Sequence, residues 1–138
     1  MDTNSKPRIL IVEDHPLIAE LVETRLRIEG MTPTKCTGGR EALAALSAEQ
    51  FDAVILDIMM PDVDGYEVLR KIRAGTVTAT LPVIFLTAKS SPADVEKGLA
   101  LGANHYLTKP FSGQDLMRKL RLCLAERKMV STDSPAVG

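Results

Sequence analysis

The sequence lacks several features that would place it quickly. It has only two cysteines, Cys36 and Cys123, far apart and without metal-ligand spacing. That excludes a disulfide scaffold and a structural zinc site, and it favours reduced thiols in a cytoplasmic protein. It has no long apolar run: the longest are about four or five residues, against roughly 18 for a membrane span. The opening Met-Asp-Thr-Asn-Ser-Lys lacks the apolar stretch of a secretory signal. Charge of one sign is missing too, with 17 Lys plus Arg against 18 Asp plus Glu and a formal net charge of -1. A nucleic-acid partner held by charge alone is therefore not expected, nor a membrane surface.

What is present is a single domain's worth of chain. At 138 residues, 45% hydrophobic and 25% charged, it has a globular composition and can bury roughly two-thirds of its unfolded surface. Residues 1–7 read as a flexible lead-in, 8–128 as the folded domain and 129–138 as a flexible tail. Within the domain, short apolar runs alternate with amphipathic stretches. Ile9-Leu10-Ile11-Val12, Ala53-Val54-Ile55-Leu56 and Leu81 to Leu86 are continuous apolar strands. Thr32 to Cys36 and His105 to Thr108 are more polar. Between them lie helical patterns, the first carrying Leu17, Ile18, Leu21 and Val22 with Gly30 past its end. The last opens on Ser112-Gly113-Gln114-Asp115, a capping-box pattern.

Alternating strands and helices imply a parallel sheet with right-handed crossovers. Strands buried on both faces read as unbroken apolar runs, so the first, third and fourth belong in the centre. The expectation is a doubly wound, flavodoxin-like α/β fold with five strands in the order 2-1-3-4-5 and about five helices. Ligands in this architecture bind beyond the carboxyl ends of the strands, where strand order reverses.

The residues at those ends form a chemical kit. Strand 1 ends in Glu13-Asp14, strand 3 in Asp57, strand 4 in Thr87 and strand 5 in Lys109. Neighbouring strands lie about 4.8 Å apart, so these side chains converge. Two carboxylates about 5 Å apart repel by roughly 3 kcal/mol at an effective dielectric of 20. Lys109 alone cannot neutralise three. Hard oxygen ligands suit Mg²⁺, with Mn²⁺ as a substitute. A carboxylate beside such an ion and a lysine is poised to attack phosphorus, and Thr87 and Lys109 would then contact the phosphoryl oxygens.

The quoted residues bear a family resemblance. Ile-Val-Glu-Asp at 11–14, Leu-Asp-Ile-Met-Met-Pro-Asp-Val-Asp-Gly at 56–65, Leu-Thr-Ala at 86–88 and Gly-Ala-Asn-His-Tyr-Leu-Thr-Lys-Pro-Phe at 102–111 resemble the receiver domain of bacterial two-component response regulators. The resemblance spans about residues 8–128. It implies that Asp57 is the phosphoacceptor, loaded from a phosphohistidine on a histidine kinase or histidine phosphotransfer protein. It implies that Glu13, Asp14, Asp57 and the Met59 carbonyl hold the metal, and that Thr87 and Lys109 contact the phosphoryl group. Tyr106 matches the switch aromatic, and Lys109-Pro110 is expected to be cis. Glu13 departs from the Asp found in many members. The implied output is a downstream protein binding the face of the fourth helix, fifth strand and fifth helix, and some members form homodimers there.

Simpler roles compete with each residue. Asp57 can end a strand as a surface aspartate, Glu13 or Asp14 can cap the first helix, and Tyr106 can be packing on an edge strand. His15 and His105 read as solvent-facing, and Gly38-Gly39 as a strand-to-helix turn. Two other functions share the architecture. A phosphohydrolase working through an aspartyl phosphate would need a general acid where Met59 stands. A flavin module would need a hydroxyl-rich loop where Glu13-Asp14 would repel the phosphate. No DNA-binding helix pair follows residue 128, so direct nucleic-acid contact is not expected.

Overall fold

The computed structural model describes residues 6–137. Five parallel strands form one sheet in the order β2-β1-β3-β4-β5. They are β1 (Arg8–Val12), β2 (Thr32–Cys36), β3 (Ala53–Leu56), β4 (Val83–Thr87) and β5 (His105–Thr108). Between and after them come α1 (Pro16–Ile28), α2 (Gly39–Ala48), α3 (Gly65–Ala74), α4 (Pro92–Ala100) and α5 (Gly113–Val137). The expected order and helix count both hold. β4 begins at Val83 rather than Leu81, because Pro82 has no N–H to give the ladder; its carbonyl accepts from Val54 N at 2.9 Å.

The two sheet faces bury separate cores. Leu10, Val12, Val54, Leu56 and Phe85 pack with Ala42, Val68, Leu69 and Ile72 on one side. Ile9, Ile11, Ile55, Ile84 and Leu107 pack with Val22, Leu26, Leu116, Leu120 and Cys123 on the other. Period-two alternation along β1 feeds both, which is why a doubly buried strand is apolar at every position.

Local signals set the helix ends. Asp64 caps α3 by accepting from Glu67 N at 3.0 Å, and Ser91 caps α4 by accepting from Asp94 N at 3.1 Å. At α5 only the serine half of the expected box forms, Ser112 Oγ accepting from Asp115 N at 3.0 Å. Gly30 ends the α1 region at φ +84°, a left-handed conformation that glycine adopts without cost.

Two expectations are corrected. On α1 the buried residues are Ala19, Val22 and Leu26, while Leu17 and Leu21 are each 61% exposed. They lie one turn apart on the flank of the helix, and Leu21 lines a groove shared with Phe111 and Leu116 of the facing segment. The 129–138 stretch, expected as a tail, is helical to Val137. Most of the 1–7 lead-in lies outside the described residues.

Candidate functional site

Backbone ladders carry the expected side chains to one sheet edge. Asp57 N donates to Val12 O at 2.9 Å, Glu13 N to Cys36 O at 3.0 Å and Lys109 N to Thr87 O at 2.9 Å. Each strand end is thus held by its neighbour, and the side chains just past it have little freedom to diverge.

They meet. Glu13, Asp14 and Asp57 each offer a carboxylate oxygen within 4.8 Å of the others. Lys109 Nζ lies 3.0 Å from Asp57 Oδ2, as a hydrogen bond, and 2.8 Å from Glu13 Oε1, as an ion pair. The Glu13 contact carries no signal along the chain; the longer glutamate arm makes it possible. Glu13 and Asp57 are 2% and 4% exposed, and Asp14 faces solvent. Burying two carboxylates against one ammonium leaves negative charge uncompensated. Burial, the dominant influence, pushes the Glu13 carboxyl above its usual range; the Asp57 charge adds to this, and Lys109 and the His15 N–H oppose it. Burial alone would lower the Lys109 ammonium, yet its bonds and charge attraction to Glu13 and Asp57 outweigh that and hold it raised.

The remaining oxygens divide in a telling way. Glu13 Oε2 accepts the His15 N–H at 3.1 Å, and Asp57 Oδ1 accepts the Met59 N–H at 3.1 Å. Glu13 Oε1 has only the Lys109 ammonium for company, at 2.8 Å. Three carboxylates converging on that one ammonium fit a hard cation, which takes oxygen ligands without needing a proton on them.

Thr87 is fully buried at the end of β4, where its Oγ1 accepts from Lys89 N at 3.3 Å. Tyr106 is half-buried on β5 and donates its hydroxyl to Lys89 O at 2.8 Å. Its ring meets Phe85 edge-on, centroids 5.9 Å apart, and its phenol is pushed up to about 12, burial being the main cause. The main chain of Lys89 therefore joins the strand-end hydroxyl to the aromatic, one through its N–H and the other through its C=O. The Lys109–Pro110 bond is cis, as expected.

Other residues shape the pocket without a sequence signal strong enough to single them out. Asp62 accepts from Gly39 N at 3.0 Å and Arg40 N at 3.1 Å, so it caps α2 from 23 residues away. Gly65 lies so close to the Asp57 carbonyl that an added Cβ would come 2.6 Å from Ile58 Cα. Gly98 of α4 makes room for the aromatic pair, since a Cβ there would meet Phe85 at 3.0 Å and Tyr106 at 3.1 Å. Met59 presents a 55% exposed thioether where an aspartyl-phosphate hydrolase needs its general acid.

Residues 9–121 match the family model of the response regulator receiver domain. The chain belongs to that family. Among curated relatives, this receiver is 40% identical over 128 residues to the probable transcriptional regulatory protein TcrX of Mycobacterium tuberculosis, covering 93% of this chain and 54% of TcrX. It is 39% identical over 132 residues to the regulatory protein VanRc of Enterococcus gallinarum, covering 94% and 56%. The receiver thus spans about half the length of these relatives. Among solved structures it resembles a putative response regulator of Chloroflexus aurantiacus, with a TM-score of 0.84 and 36% identity over 88% of this chain and 99% of that one. It likewise resembles the chemotaxis response regulator CheY4 of Vibrio cholerae, with a TM-score of 0.82 and 32% identity over 87% and 100%. Among the described residues, no helix is long and apolar enough to cross a membrane. This receiver is a component of two-component signal transduction.

Proposed function

We propose that this receiver takes a phosphoryl group on Asp57 from a phosphohistidine of a histidine kinase or histidine phosphotransfer protein. An Asp57 oxygen attacks phosphorus, the P–N bond to the donor imidazole breaks, and that imidazole regains a proton from solvent. The observation that carries this reading is a nearly buried carboxylate at the strand-order reversal, bonded to a lysine and flanked by two further acids. Lys109, already 3.0 Å from Asp57, would exchange carboxylate for phosphoryl oxygen, and the Thr87 hydroxyl would turn to donate to another. Glu13, Asp14, Asp57 and the Met59 carbonyl would hold Mg²⁺, or Mn²⁺ in its place. Such an ion supplies positive charge against the phosphoryl oxygens.

Recruitment of Thr87 to the phosphoryl group would break its contact with Lys89, and with it the link that holds the Tyr106 hydroxyl. The face of α4, β5 and α5 would be reshaped for a downstream protein partner. The protein acts in this reading as a cytoplasmic switch that assists its own loading and discharge, with no direct nucleic-acid contact by this domain; pairing of two copies on the same face is compatible with it. The test is incubation with a small acyl phosphate and Mg²⁺, followed by intact-mass measurement. Wild type should gain one phosphoryl group and Asp57→Asn none. Equal gain in both would overturn the assignment.

A further inference from the structure

A second ligand cluster lies at the opposite end of β5 from Lys109. His105 opens that strand, and Cys123 and Glu126 stand one turn apart on α5. One donor atom from each lies within 4.8 Å of the others. His105 was expected at the surface; instead it is half-buried, and its Nε2 is enclosed with no hydrogen-bond partner among the described residues. A buried imidazole nitrogen without a partner calls for an explanation, and an ion is one of the few that fit. Cys123 is wholly buried in the core between the sheet and α5. Core packing accounts for the thiol and leaves the unpartnered nitrogen beside it unexplained.

We propose that His105, Cys123 and Glu126 bind a divalent transition metal of the zinc class, joining β5 to α5. Sulfur, imidazole nitrogen and one carboxylate oxygen are the ligand types such ions take, unlike the all-oxygen set around Asp57. Binding displaces the Cys123 thiol proton to solvent, His105 coordinates as the neutral imidazole, and thiolate plus carboxylate cancel the ion's two charges. That neutrality is what allows the ion to sit against an apolar core. Bond lengths of about 2.0–2.3 Å place tetrahedral ligands roughly 3.5 Å apart. Any tightening of the cluster from within 4.8 Å to that spacing can come from the exposed Glu126 carboxylate and the half-buried imidazole while Cys123 stays fixed. Glu126 also borders a cavity of about 260 Å³ shared with Asn104, Arg73 and Arg127, and a water can complete the coordination on that side. Cysteine spacing along the chain excludes only sites built from local cysteine pairs; here the fold supplies the proximity.

The test uses Co²⁺ as the spectroscopic probe on the full chain, thiols reduced, with excess Mg²⁺ occupying the acidic pocket. One equivalent should produce a sulfur-to-cobalt charge-transfer band and the intense visible bands of four-coordination, both removed by Zn²⁺. Cys123→Ala should lose the charge-transfer band and Cys36→Ala should keep it. His105→Ala and Glu126→Gln should weaken binding by at least the roughly 10–100-fold that loss of an outer partner costs. His105→Ala also serves if Cys123→Ala fails to fold. Absence of a sulfur band in wild type, its persistence in Cys123→Ala, or unweakened binding in His105→Ala would each overturn the site.

Discussion

Replacing Lys109 by methionine keeps the unbranched apolar stem and removes the charge. The structure sets the consequence. Glu13 and Asp57 are 2% and 4% exposed, and Lys109, with a side chain 17% exposed, is the ammonium that contacts both. With it gone, two carboxylates within 4.8 Å repel by about 3.5 kcal/mol at an effective dielectric of 20. Breaking a buried ion pair typically costs about 3–5 kcal/mol, and protonating one carboxylate limits the penalty toward the lower end. We expect Lys109→Met to lose about 3–4 kcal/mol of unfolding free energy at pH 7. Urea unfolding followed by far-ultraviolet circular dichroism measures this, since the chain has no tryptophan. The deficit should shrink as pH falls through the carboxylate range, because neutral carboxyls no longer need the ammonium. Added Mg²⁺ should restore more stability to the variant than to wild type. Equal stability at pH 7, or a deficit as large in acid as at neutrality, would show that charge compensation is not what Lys109 provides.

Two further outcomes follow from the loop after Asp57. Gly65→Ala would drive a Cβ into the backbone of Asp57 and Ile58, atoms that cannot move without distorting the phosphoacceptor. It should cost about 1–3 kcal/mol or more by overpacking and slow phosphoryl uptake from a small donor, read by the same intact-mass assay. Asp62 is lowered from its ordinary value near 3.8 to about 2 by the Val63, Arg40 and Gly39 N–H groups. A depressed carboxylate stabilises the fold fully above its unfolded pKa and loses that contribution as pH falls through the folded one. The stability gap between wild type and Asp62→Asn should therefore be complete above about pH 4 and close toward pH 2, in urea titrations across that range.

Much of the fold is legible because its signals are local. A run such as Ile9-Leu10-Ile11-Val12 is apolar at every position only if both its faces are covered, and this alone puts β1, β3 and β4 in the middle. Thr87 closes its strand and Glu13, Asp14, Asp57 and Lys109 follow theirs directly, so strand order brings them to one edge without any knowledge of side-chain packing. The apolar residues of α1 show where local signals stop. Leu17 and Leu21 fit the helical period as well as Val22, and which of them faced the sheet depended on how the helix docked. The tail shows the same limit, since composition read 129–138 as loose and the chain continues as helix to Val137.

The alternation of elements, the central strands and the chemistry gathered at their carboxyl ends can be read along the chain, because periodicity and strand termini are properties of neighbouring residues. That Lys109 bridges Glu13 as well as Asp57, that Asp62 caps a helix 23 residues before it, and that His105 faces Cys123 emerges on folding alone. Those contacts join residues far apart in the chain, and distance along a polypeptide carries no information about approach in space until the backbone path between them is known.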